Sequence, residues 1–391
     1  MRRVITYVAG VAVLLLLWGM MMAPRAVAGT GSDWYVATWG KDTNDCRSWA
    51  TACRTIRAAY DKADAVGTIH IGPGVFRETN VLGNRVTLIG AGPNRTIIDG
   101  KKEHTVFTVF SEAFVTLRNM TIRNGKTDSP DWAGGIVNWG TLVLDHVIVE
   151  HNEGSEGGIS SSGVLTMTNS AVVENVASYT TGGIRASGRV YLRNVTLARN
   201  RALTSGLAGA LRVQGGTTAD LVNVTISGNA STYGGGGIDN DGTLRLTNVT
   251  LANNTVSSPA HRMIDLYVDG MVTLRNTLIL GECRGAGSVV SQGHNLEKGN
   301  TCGLTHSTDV TNTDPQLAAL AHNGGLGETH ALRQGSPAID AGDDAVCPPT
   351  DQRGMGRWDG DGDGRRRCDI GAYEYVPSGV LQKRGYVPVV Y

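Results

Sequence analysis

Residues 235–254 read GGGIDNDGTLRLTNVTLANN, and this stretch contains one complete structural unit of the protein. Its residues alternate between apolar and polar from Leu244 to Asn248, and the alternation then continues one residue out of step at Val249 and Leu251. Alternation at period two predicts β-strands with one buried face. The slip at Asn248 indicates a bend in the chain, because Asn tolerates the left-handed backbone conformation that such a corner needs.

The same unit recurs through the middle of the chain at spacings of 23 to 29 residues. The corner position is Asn in every copy but one, where it is His: Asn119, His146, Asn169, Asn194, Asn223, Asn248 and Asn276. A second Asn follows six residues later in five copies: Asn152, Asn175, Asn200, Asn229 and Asn254. A period near 25, without any stripe at helical spacing, predicts a solenoid whose units bury their apolar side only against their neighbours. We therefore predict a parallel β-helix, with coils about 4.8 Å apart and equivalent Asn side chains sharing amide hydrogen bonds.

The composition agrees with an all-β solenoid. The chain has 53 Gly among 391 residues, with 18% charged and 6% aromatic residues, which suits many tight turns and thin β-coils. The 35 basic and 35 acidic residues give a formal net charge of zero, so we expect neither nucleic-acid binding nor attraction to an anionic membrane.

The first 28 residues have the pattern of a secretory signal. Arg2 and Arg3 give the positive start, residues 11–18 the apolar centre and residues 26–28 a small-residue cleavage site. The alternative is a retained membrane anchor, since residues 4–23 are just long enough to span a bilayer. No later segment has that character. We predict a secreted or cell-surface protein, with no transmembrane helix after the signal is removed.

The six cysteines fall into three local pairs that lie outside the repeats: Cys46 and Cys53, Cys283 and Cys302, Cys347 and Cys368. In an oxidising compartment these pairs are expected to form disulfides that fasten irregular segments. Metal binding is the competing interpretation, although no Cys-x-x-Cys pattern or nearby His cluster is present.

A short helix is predicted within the N-terminal cap, residues 29–68. Residues 55–65 (TIRAAYDKADA) place Ile56, Ala59, Tyr60 and Ala63 on one face. Such a helix would cover the open end of the β-helix, whose first coil otherwise exposes unpaired backbone and core side chains.

Two resemblances add detail to this prediction. The strands and turns TIHIGPGVFRE and VTLIGAG resemble the opening of secreted right-handed β-helix proteins of the pectate-lyase-like group, which implies that handedness, and the repeats in residues 69–282 resemble those of polymorphic outer-membrane proteins. Residues 283–375 are similar to the choice-of-anchor Q module through SQGHNL, TDPQL, GSPAIDAG, DQRG and CDIGAYEY, in that order. That resemblance implies export and surface attachment, and no established chemistry. The tail, residues 376–391, has no Leu-Pro sorting motif and no stop-transfer helix.

One row of ionisable residues is a candidate catalytic site. The fifth position after the corner reads His151, Glu174 and Arg199 in three successive copies, so these side chains are expected to stack on adjacent coils. The competing interpretation is a surface ladder of charges that contributes little. Asp239 and Asp241 lie beside a turn and have no acidic counterpart in neighbouring copies of the repeat.

A calcium loop is the candidate metal site. Asp359, Asp361 and Asp363 with Gly364 follow the first half of the pattern D-x-D-x-D-G, whose alternating carboxylates can surround a hard cation. The closing bidentate residue would fall at Ile370, which cannot serve, although Asp369 is one position earlier. A solvated Asp/Gly turn is the alternative interpretation.

The leading functional hypothesis is a monomeric, secreted or surface-associated β-helix that binds a polysaccharide or another cell-surface component without catalysis. A lyase or glycoside hydrolase acting on acidic polysaccharide is the first alternative, and it rests on analogy of fold. A structural or adhesive scaffold is the second.

Overall fold

The computed structural model describes residues 32–63, 66–257 and 262–377. The predicted signal segment, residues 1–28, and nearly all of the tail lie outside these ranges. Within them, no helix has the length and apolar character needed to cross a membrane.

The described chain is a right-handed parallel β-helix, as predicted, and its coils build three sheets. Sheet 1 contains the longest strands: Asp33–Val36, Val66–Ile71, Arg85–Ile89, Phe114–Arg123, Thr141–Glu150, Val164–Val173, Val190–Ala198, Thr218–Ser227, Thr243–Ala252, Met271–Arg275 and Ser288–Ser291, with Gly74–Phe76, Thr96–Asp99, Leu278–Ile279 and Leu296–Glu297 beside them. Sheet 2 contains Asn80–Leu82, Phe107–Val109, Ile136–Asn138, Ile159–Ser161, Ile184–Ala186, Leu211–Val213, Ile238–Asn240, Ile264–Val268 and Glu282–Arg284. Sheet 3 contains Glu153–Gly154, Val176–Ala177, Arg201–Ala202, Ala230–Ser231 and Thr255–Val256.

In the five coils that reach sheet 3, the chain passes from sheet 2 to sheet 1 and then to sheet 3; the coils before Glu153 and after Val256 contain strands of sheets 1 and 2 only. Strands of successive coils pair in parallel, so that Leu142 lies opposite Leu165 and Leu165 opposite Val190. These three side chains are fully buried, and residues at equivalent positions continue the same core along the axis. The core is therefore one continuous column, as the period-two alternation requires.

The corner residues bend the long strands of sheet 1. All seven, from Asn119 to Asn276, have φ between 48° and 55°, which is the left-handed region. Amide groups join several of them along the axis: Asn194 donates to Asn169 over 3.0 Å, and Asn223 donates to Asn194 over 3.0 Å. The predicted corners and their stacking are confirmed.

The second set of Asn residues forms an internal amide ladder. Asn152, Asn175, Asn200, Asn229 and Asn254 are fully buried. Each donates its side-chain amide to the carbonyl oxygen of the next at 2.9–3.0 Å, and the last donates to Asp265 over 2.7 Å. Each of these oxygens also accepts a backbone N–H from the preceding coil, as Asn200 does from Asn175. The ladder thus satisfies polar groups that lie inside the column.

The N-terminal cap contains the predicted helix, which spans Ile56–Lys62 and begins after Thr55. Ile56 and Ala59 are buried in the main core, and Tyr60 packs against it. The strand Asp33–Val36 pairs with Val66–Ile71 and so adds to sheet 1 ahead of the first coil. All three cysteine pairs form the predicted disulfides.

The C-terminal segment differs from the prediction at its start. Glu282–Arg284, Ser288–Ser291 and Leu296–Glu297 still pair in parallel with preceding strands, so the β-helix continues beyond residue 282. Residues 298–310 cover the end of the core, where Cys302 and Leu304 join it and Val310 bridges Leu296 in parallel. Residues 311–377 fold back along the outside of the coils, and residues 298–377 together are called the C-terminal module below. It contains one antiparallel pair, Leu317–Ala321 with Thr329–Leu332.

Candidate functional site

A second bend follows the first in six of the seven coils that have a corner residue, and it carries the predicted ionisable row. The residues at this bend are Asn124, His151, Glu174, Arg199, Gly228 and Asn253, all with φ between 52° and 65°. Gly and Asn adopt this left-handed conformation with little strain, whereas His151, Glu174 and Arg199 are strained in it. The three ionisable residues therefore occupy positions where local backbone preference alone would favour Asn or Gly.

These three side chains stack on successive coils, as the sequence predicts. His151 Nε2 lies 2.9 Å from Glu174 Oε2, and Arg199 Nε donates to Glu174 Oε1 over 2.9 Å. His151 Nδ1 is also 3.9 Å from Glu150 Oε2. The row is thus a chain of polar contacts in which Glu174 is the central member and forms an ion pair with Arg199.

The C-terminal module extends this chain of contacts. Arg199 Nη2 contacts Glu328 Oε2 at 2.6 Å, so one guanidinium bridges two carboxylates. Burial lowers the pKa of Arg199, but its bonds to Glu328 and Glu174 outweigh this effect and leave the pKa above its ordinary value. Arg199 is therefore held as a cation and is not available as a base.

A cleft opens beside this row, between sheet 1 and the C-terminal module; it is called the module groove below. Its floor is formed by outward-facing residues of sheet 1, Ile148, Glu150, Ala171 and Val173. Glu174 and Arg199 line it with residues 322–328 of the module, and Asn94 of an early turn also contributes. The cavity has a volume of about 570 Å³, which is within the range of small-molecule sites.

The groove lies where one outward row of sheet 1 changes from polar to apolar. In register along the sheet, this row reads Thr121, Ile148, Ala171, Thr196, Thr225 and Thr250. The hydroxyl of Thr121 donates to the carbonyl oxygen of Pro93, and the other threonines bond to the C-terminal module. The apolar pair in the middle, Ile148 and Ala171, cannot form such bonds and lines the groove, with Ala171 only 4% exposed.

The module is fixed to the threonines of this row by side-chain amides and backbone groups. Thr196 Oγ1 donates to the carbonyl oxygen of Glu328 over 2.8 Å and accepts from Gln352 Nε2 over 2.8 Å. Thr225 Oγ1 donates to Gln352 Oε1 over 2.7 Å. Gln352, which belongs to the DQRG segment, therefore bridges two coils. It shares Thr196 with Glu328, whose loop forms the groove wall.

Corner asparagines hold the far end of the module. Asn223 donates to the carbonyl oxygen of Thr350 over 2.9 Å, and Asn248 donates to those of Asp369 and Gly371 over 3.2 and 3.3 Å. Asn276 accepts from the backbone N–H of Asp343 over 2.8 Å. The corner ladder thus serves two purposes, because its later members dock the module.

The motifs DQRG and CDIGAYEY, which resemble those of the choice-of-anchor Q module, contact each other inside the C-terminal module. Arg353 pairs with Asp351 at 2.7 Å and lies 3.5 Å from the ring centre of Tyr373, and Arg357 pairs with Glu374 at 2.7 Å. Burial and the nearby Glu374 carboxylate raise the pKa of Asp369. The carboxylates of this group, Asp351, Asp369 and Glu374, are buried, so their position in the module points to a structural contribution.

A second group of ionic side chains lies on the outward face of sheet 2. Arg212 Nη1 donates to Asp239 and Nη2 to Asp241, both over 2.8 Å. Burial raises the pKa of Asp239 to about 7; Arg212 lowers it, and Asp241 and Asp269 raise it further. The expectation that Asp239 and Asp241 have no acidic counterpart nearby is therefore wrong, because Asp269 approaches from the next coil.

A related pair, Arg185 with Glu156, contains the register partner of Arg212 in the preceding coil. Glu156 is fully buried, accepts the backbone N–H of Thr181 over 2.9 Å and lies 3.5 Å from Arg185 Nε. Burial is the main reason that its pKa is raised to about 7. Glu156 and Asp239 are covered by the loops that join sheets 3 and 2, so both act within the fold rather than on a ligand at the surface.

The Asp/Gly loop brings together a set of carboxylates different from the predicted one. Asp359 and Asp361 lie close to Asp340, with one oxygen from each within 4.8 Å of the others. Asp363 is not part of this group and contacts Arg367 Nη2 at 3.3 Å. Asp369, the predicted substitute for the closing ligand, accepts the backbone N–H of Asp340 over 2.8 Å.

Asp340 and Asp359 already accept backbone N–H groups from residues 360–367. Three carboxylates offer the oxygen ligands that calcium takes. Calcium binding at this loop stays a prediction, with Asp340 in the place assigned to Asp363.

Sequence reasoning located Glu174 and Arg199 but missed the other polar groups of the groove. Glu150 is the last outward-facing residue before the second bend, and it could have been found by extending the period-two alternation from Ile148. Glu328 and His322 come from the C-terminal module, and Glu328 is 129 positions after Arg199. No repeat phase specifies that contact, so only the folded structure could supply it.

Comparisons with known proteins give a similar backbone and no family. No protein-family model matches the chain, so the two family resemblances in its repeats and C-terminal module stay predictions. No curated protein matches its sequence.

Several solved structures have a similar course of the chain. A pectate lyase, Pel9A, aligns with a TM-score of 0.49 and 15% identity, covering 88% of this chain and 96% of that one. The complex of XylC with xylose aligns with a TM-score of 0.47 and 9% identity, covering 88% and 98%. A rhamnogalacturonan lyase aligns with a TM-score of 0.40 and 14% identity, covering 75% and 92%. These similarities describe the backbone and assign no role to any residue of this chain.

Proposed function

We propose that this protein is a secreted or cell-surface β-helix that binds a glycan in the module groove without transforming it. The observation that carries the proposal is the groove itself, a concave site of about 570 Å³ whose cation is held in ion pairs. Three disulfides fasten the segments outside the repeats. Disulfides persist in oxidising compartments, so they support a secreted or cell-surface location.

The lining of the groove suits a saccharide. Ile148, Ala171 and Val173 give an apolar floor on which the C–H face of a sugar ring can rest. Glu150 and Glu174 lie on the same side and can accept hydrogen bonds from hydroxyl groups. Asn323 lies on the opposite wall, with its amide N–H groups donated to Thr329. An apolar floor with a few convergent polar groups is the usual composition of a specific small-molecule site.

The charge of the groove favours a neutral glycan over an acidic one. Three carboxylates, Glu150, Glu174 and Glu328, face a single guanidinium, Arg199. Arg199 is shared by two of those carboxylates, so little positive potential is left for a uronate. An acidic polysaccharide would meet repulsion here, which weighs against the lyase alternative.

A glycoside hydrolase is the alternative that a specific observation supports. Two carboxylates, Glu150 and Glu174, line the groove and flank His151, which lies 3.9 and 2.9 Å from them. A pair of carboxylates is the usual catalytic equipment of such enzymes. The third possibility, a scaffold that binds no glycan, predicts that the groove stays empty.

A glycan array probed with the full chain tests the proposal. We expect the array to retain at least one neutral oligosaccharide for which Ala171→Leu, which fills the floor, lowers the affinity at least tenfold. Thr166→Leu places the same side chain on the uncovered part of the same strand and should leave affinity unchanged. Equal binding by wild type and Ala171→Leu, or no bound glycan at all, would contradict the proposal.

An assay of the bound glycans separates the alternatives. Release of reducing sugar by the wild type that is abolished in Glu150→Gln or Glu174→Gln would establish a hydrolase. Unsaturated product absorbing in the ultraviolet would establish a lyase, with calcium added and removed to test the Asp/Gly loop. We expect neither product from any glycan that the array retains.

A further inference from the structure

The N-terminal cap presents a group of exposed aromatic side chains far from the module groove in sequence. Trp39 is 63% exposed and Trp49 is 44% exposed, whereas Trp34 beside them in sequence is buried. Exposure of large apolar side chains to water is unfavourable, and a group of them on a surface often marks an interaction site. These two rings and their neighbours Tyr35 and His70 are called the cap platform below.

The platform residues lie together in space. Both indole rings pack over Gly72: a Cβ built on that glycine would lie 3.4 Å from Trp49 and 3.8 Å from Trp39. Tyr35 meets Trp49 edge to face, with ring centres 4.9 Å apart, and stacks on His70 at 5.2 Å. Four rings thus form one continuous surface on the outer side of the first strands of sheet 1.

The local covalent structure holds the platform in place. The disulfide between Cys46 and Cys53 closes the short loop that carries Trp49. Trp39 lies in the tight turn in which the Gly40 N–H donates to the carbonyl oxygen of Ala37 over 2.8 Å. Tyr35 and His70 are register partners on adjacent strands. A surface fixed in this way loses little conformational entropy when a ligand binds.

The polar edge and the charge of the cap indicate what kind of ligand fits. His70 Nε2 lies 3.3 Å from Asp33 Oδ1, which places hydrogen-bonding groups beside the rings. Residues 33–54 contain three acidic and three basic residues, namely Asp33, Asp42, Asp45, Lys41, Arg47 and Arg54, so this segment is neutral. Aromatic faces attract the polarised C–H groups of a sugar ring, and a neutral setting gives no preference to an ionic ligand.

We propose that the cap platform is a binding site for an uncharged saccharide, which rests on the Trp39 and Trp49 rings and bonds to the polar groups at their edge. The site is separate from the module groove and does not depend on it. Together the two sites would let one β-helix contact a polysaccharide chain at two places along its length, which increases the effective affinity for long chains.

Tryptophan fluorescence of the full chain gives a direct test. We expect neutral oligosaccharides, such as cello-, xylo-, manno- and malto-hexaose, to include at least one that shifts or quenches the emission in a saturable manner. Trp49→Ala should weaken that binding at least tenfold, and Trp49→Tyr should restore part of it. Tyr233→Ala removes another exposed aromatic side chain, in a distant coil, and should leave the binding curve unchanged.

Controls separate this inference from the proposed groove. Circular dichroism establishes that each variant keeps the β-helix, and Trp39→Ala offers a second substitution outside the disulfide loop. Ala171→Leu should leave the fluorescence titration unchanged. The inference would be overturned by absence of a saturable response to every neutral oligosaccharide, by full binding in both tryptophan variants, or by an equal response to tetramethylammonium, which would indicate a cation site.

Discussion

At the scale of single residues, the two Asn positions of each coil differ in what they stabilise. The corner residues supply a left-handed backbone, and hydrogen bonds between side-chain amides join several of them along the axis. Each internal residue forms buried hydrogen bonds through both its side-chain N–H groups and its side-chain oxygen. Asn200, for example, donates to Asn229 and to the carbonyl oxygen of Val172, and accepts both the backbone N–H and the side chain of Asn175.

The internal ladder predicts a large effect of a single substitution. Asn200→Ala would leave several buried donors and acceptors without partners, and we expect it to lower the free energy of unfolding by about 4 kcal/mol. Asn194→Gly keeps the left-handed corner and removes only partly exposed bonds, so a loss under about 1 kcal/mol is expected. Urea unfolding of both variants measures the difference. Equal losses would show that the internal ladder contributes no more to the free energy of unfolding than the corner residues do.

The carboxyl groups with raised pKa predict a dependence on pH. Glu156 has a pKa of about 7 in the folded protein because it is buried, against about 4.3 in an unfolded chain. The folded state therefore holds its proton more tightly. The stability that this gives is fully present below about pH 4 and is lost as the pH rises through about 7.

Glu156→Gln removes this titration. The free energy of unfolding of the variant relative to that of wild type should therefore rise by about 2 kcal/mol from pH 5 to pH 8. Glu153→Gln is the matched control, because hydrogen bonding to Lys102 lowers the pKa of Glu153 and its effect has the opposite sign. Urea midpoints at pH 5 and pH 8 supply the test. A constant difference between Glu156→Gln and wild type across this range would refute the assigned cause.

At the scale of elements, the contact between the C-terminal module and sheet 1 depends on close approach of backbone to side chain. A Cβ at Gly327 would overlap Thr196 Oγ1, so only glycine lets this loop lie on the sheet. The same loop carries Glu328, which pairs with Arg199 and forms part of the groove wall.

Gly327→Ala should lift residues 322–328 from the sheet and lower the free energy of unfolding by about 2 kcal/mol. Limited proteolysis should then cut this loop at least several times faster than in the wild type. Gly356→Ala is the control, since a Cβ there would meet nothing within 4 Å. Unchanged proteolysis of Gly327→Ala would mean that the loop is not seated on Thr196.

Much of the fold was predictable because it follows from residues close in sequence. The corner at Asn248 is a local conformational preference, and the alternation on either side of it determines which side chains enter the core. Repetition then specifies stacking of equivalent positions, including His151, Glu174 and Arg199. The partners of this row in the module were not predictable, because Glu328 meets Arg199 through packing that no repeat encodes.

The contacts on sheet 2 show a second limit of repeat alignment. Arg212 and Asp239 are register partners, and Asp239 is in turn paired with Tyr267. The loops between coils differ in length, so alignment by the Asn corner places these residues less reliably than those that directly follow the corner. The Arg212–Asp239 contact was therefore missed, because Arg212 precedes its corner by eleven residues and Asp239 precedes its corner by nine. Asp269 could have been found by the alignment, because it precedes Asn276 by seven residues as Asp241 precedes Asn248.

At the scale of the whole molecule, the β-helix acts as a rigid column on which two exposed features are placed. The C-terminal module covers the face of the later coils through the threonine row and leaves a groove over Ile148 and Ala171. The cap platform lies at the start of the same sheet. Both features have a neutral or mildly acidic character, and both suit uncharged saccharides better than polyuronates.

The central claim is that a glycan lies in the module groove, and a crystal structure with the best neutral oligosaccharide from the array tests it most directly. We predict electron density for sugar rings on Ile148 and Ala171, between Asn94 and residues 322–328, with hydroxyl groups bonded to Glu150 or Glu174 and the glycosidic bonds intact. An empty groove with the sugar bound elsewhere, or cleaved sugar beside Glu150 and Glu174, would contradict the account.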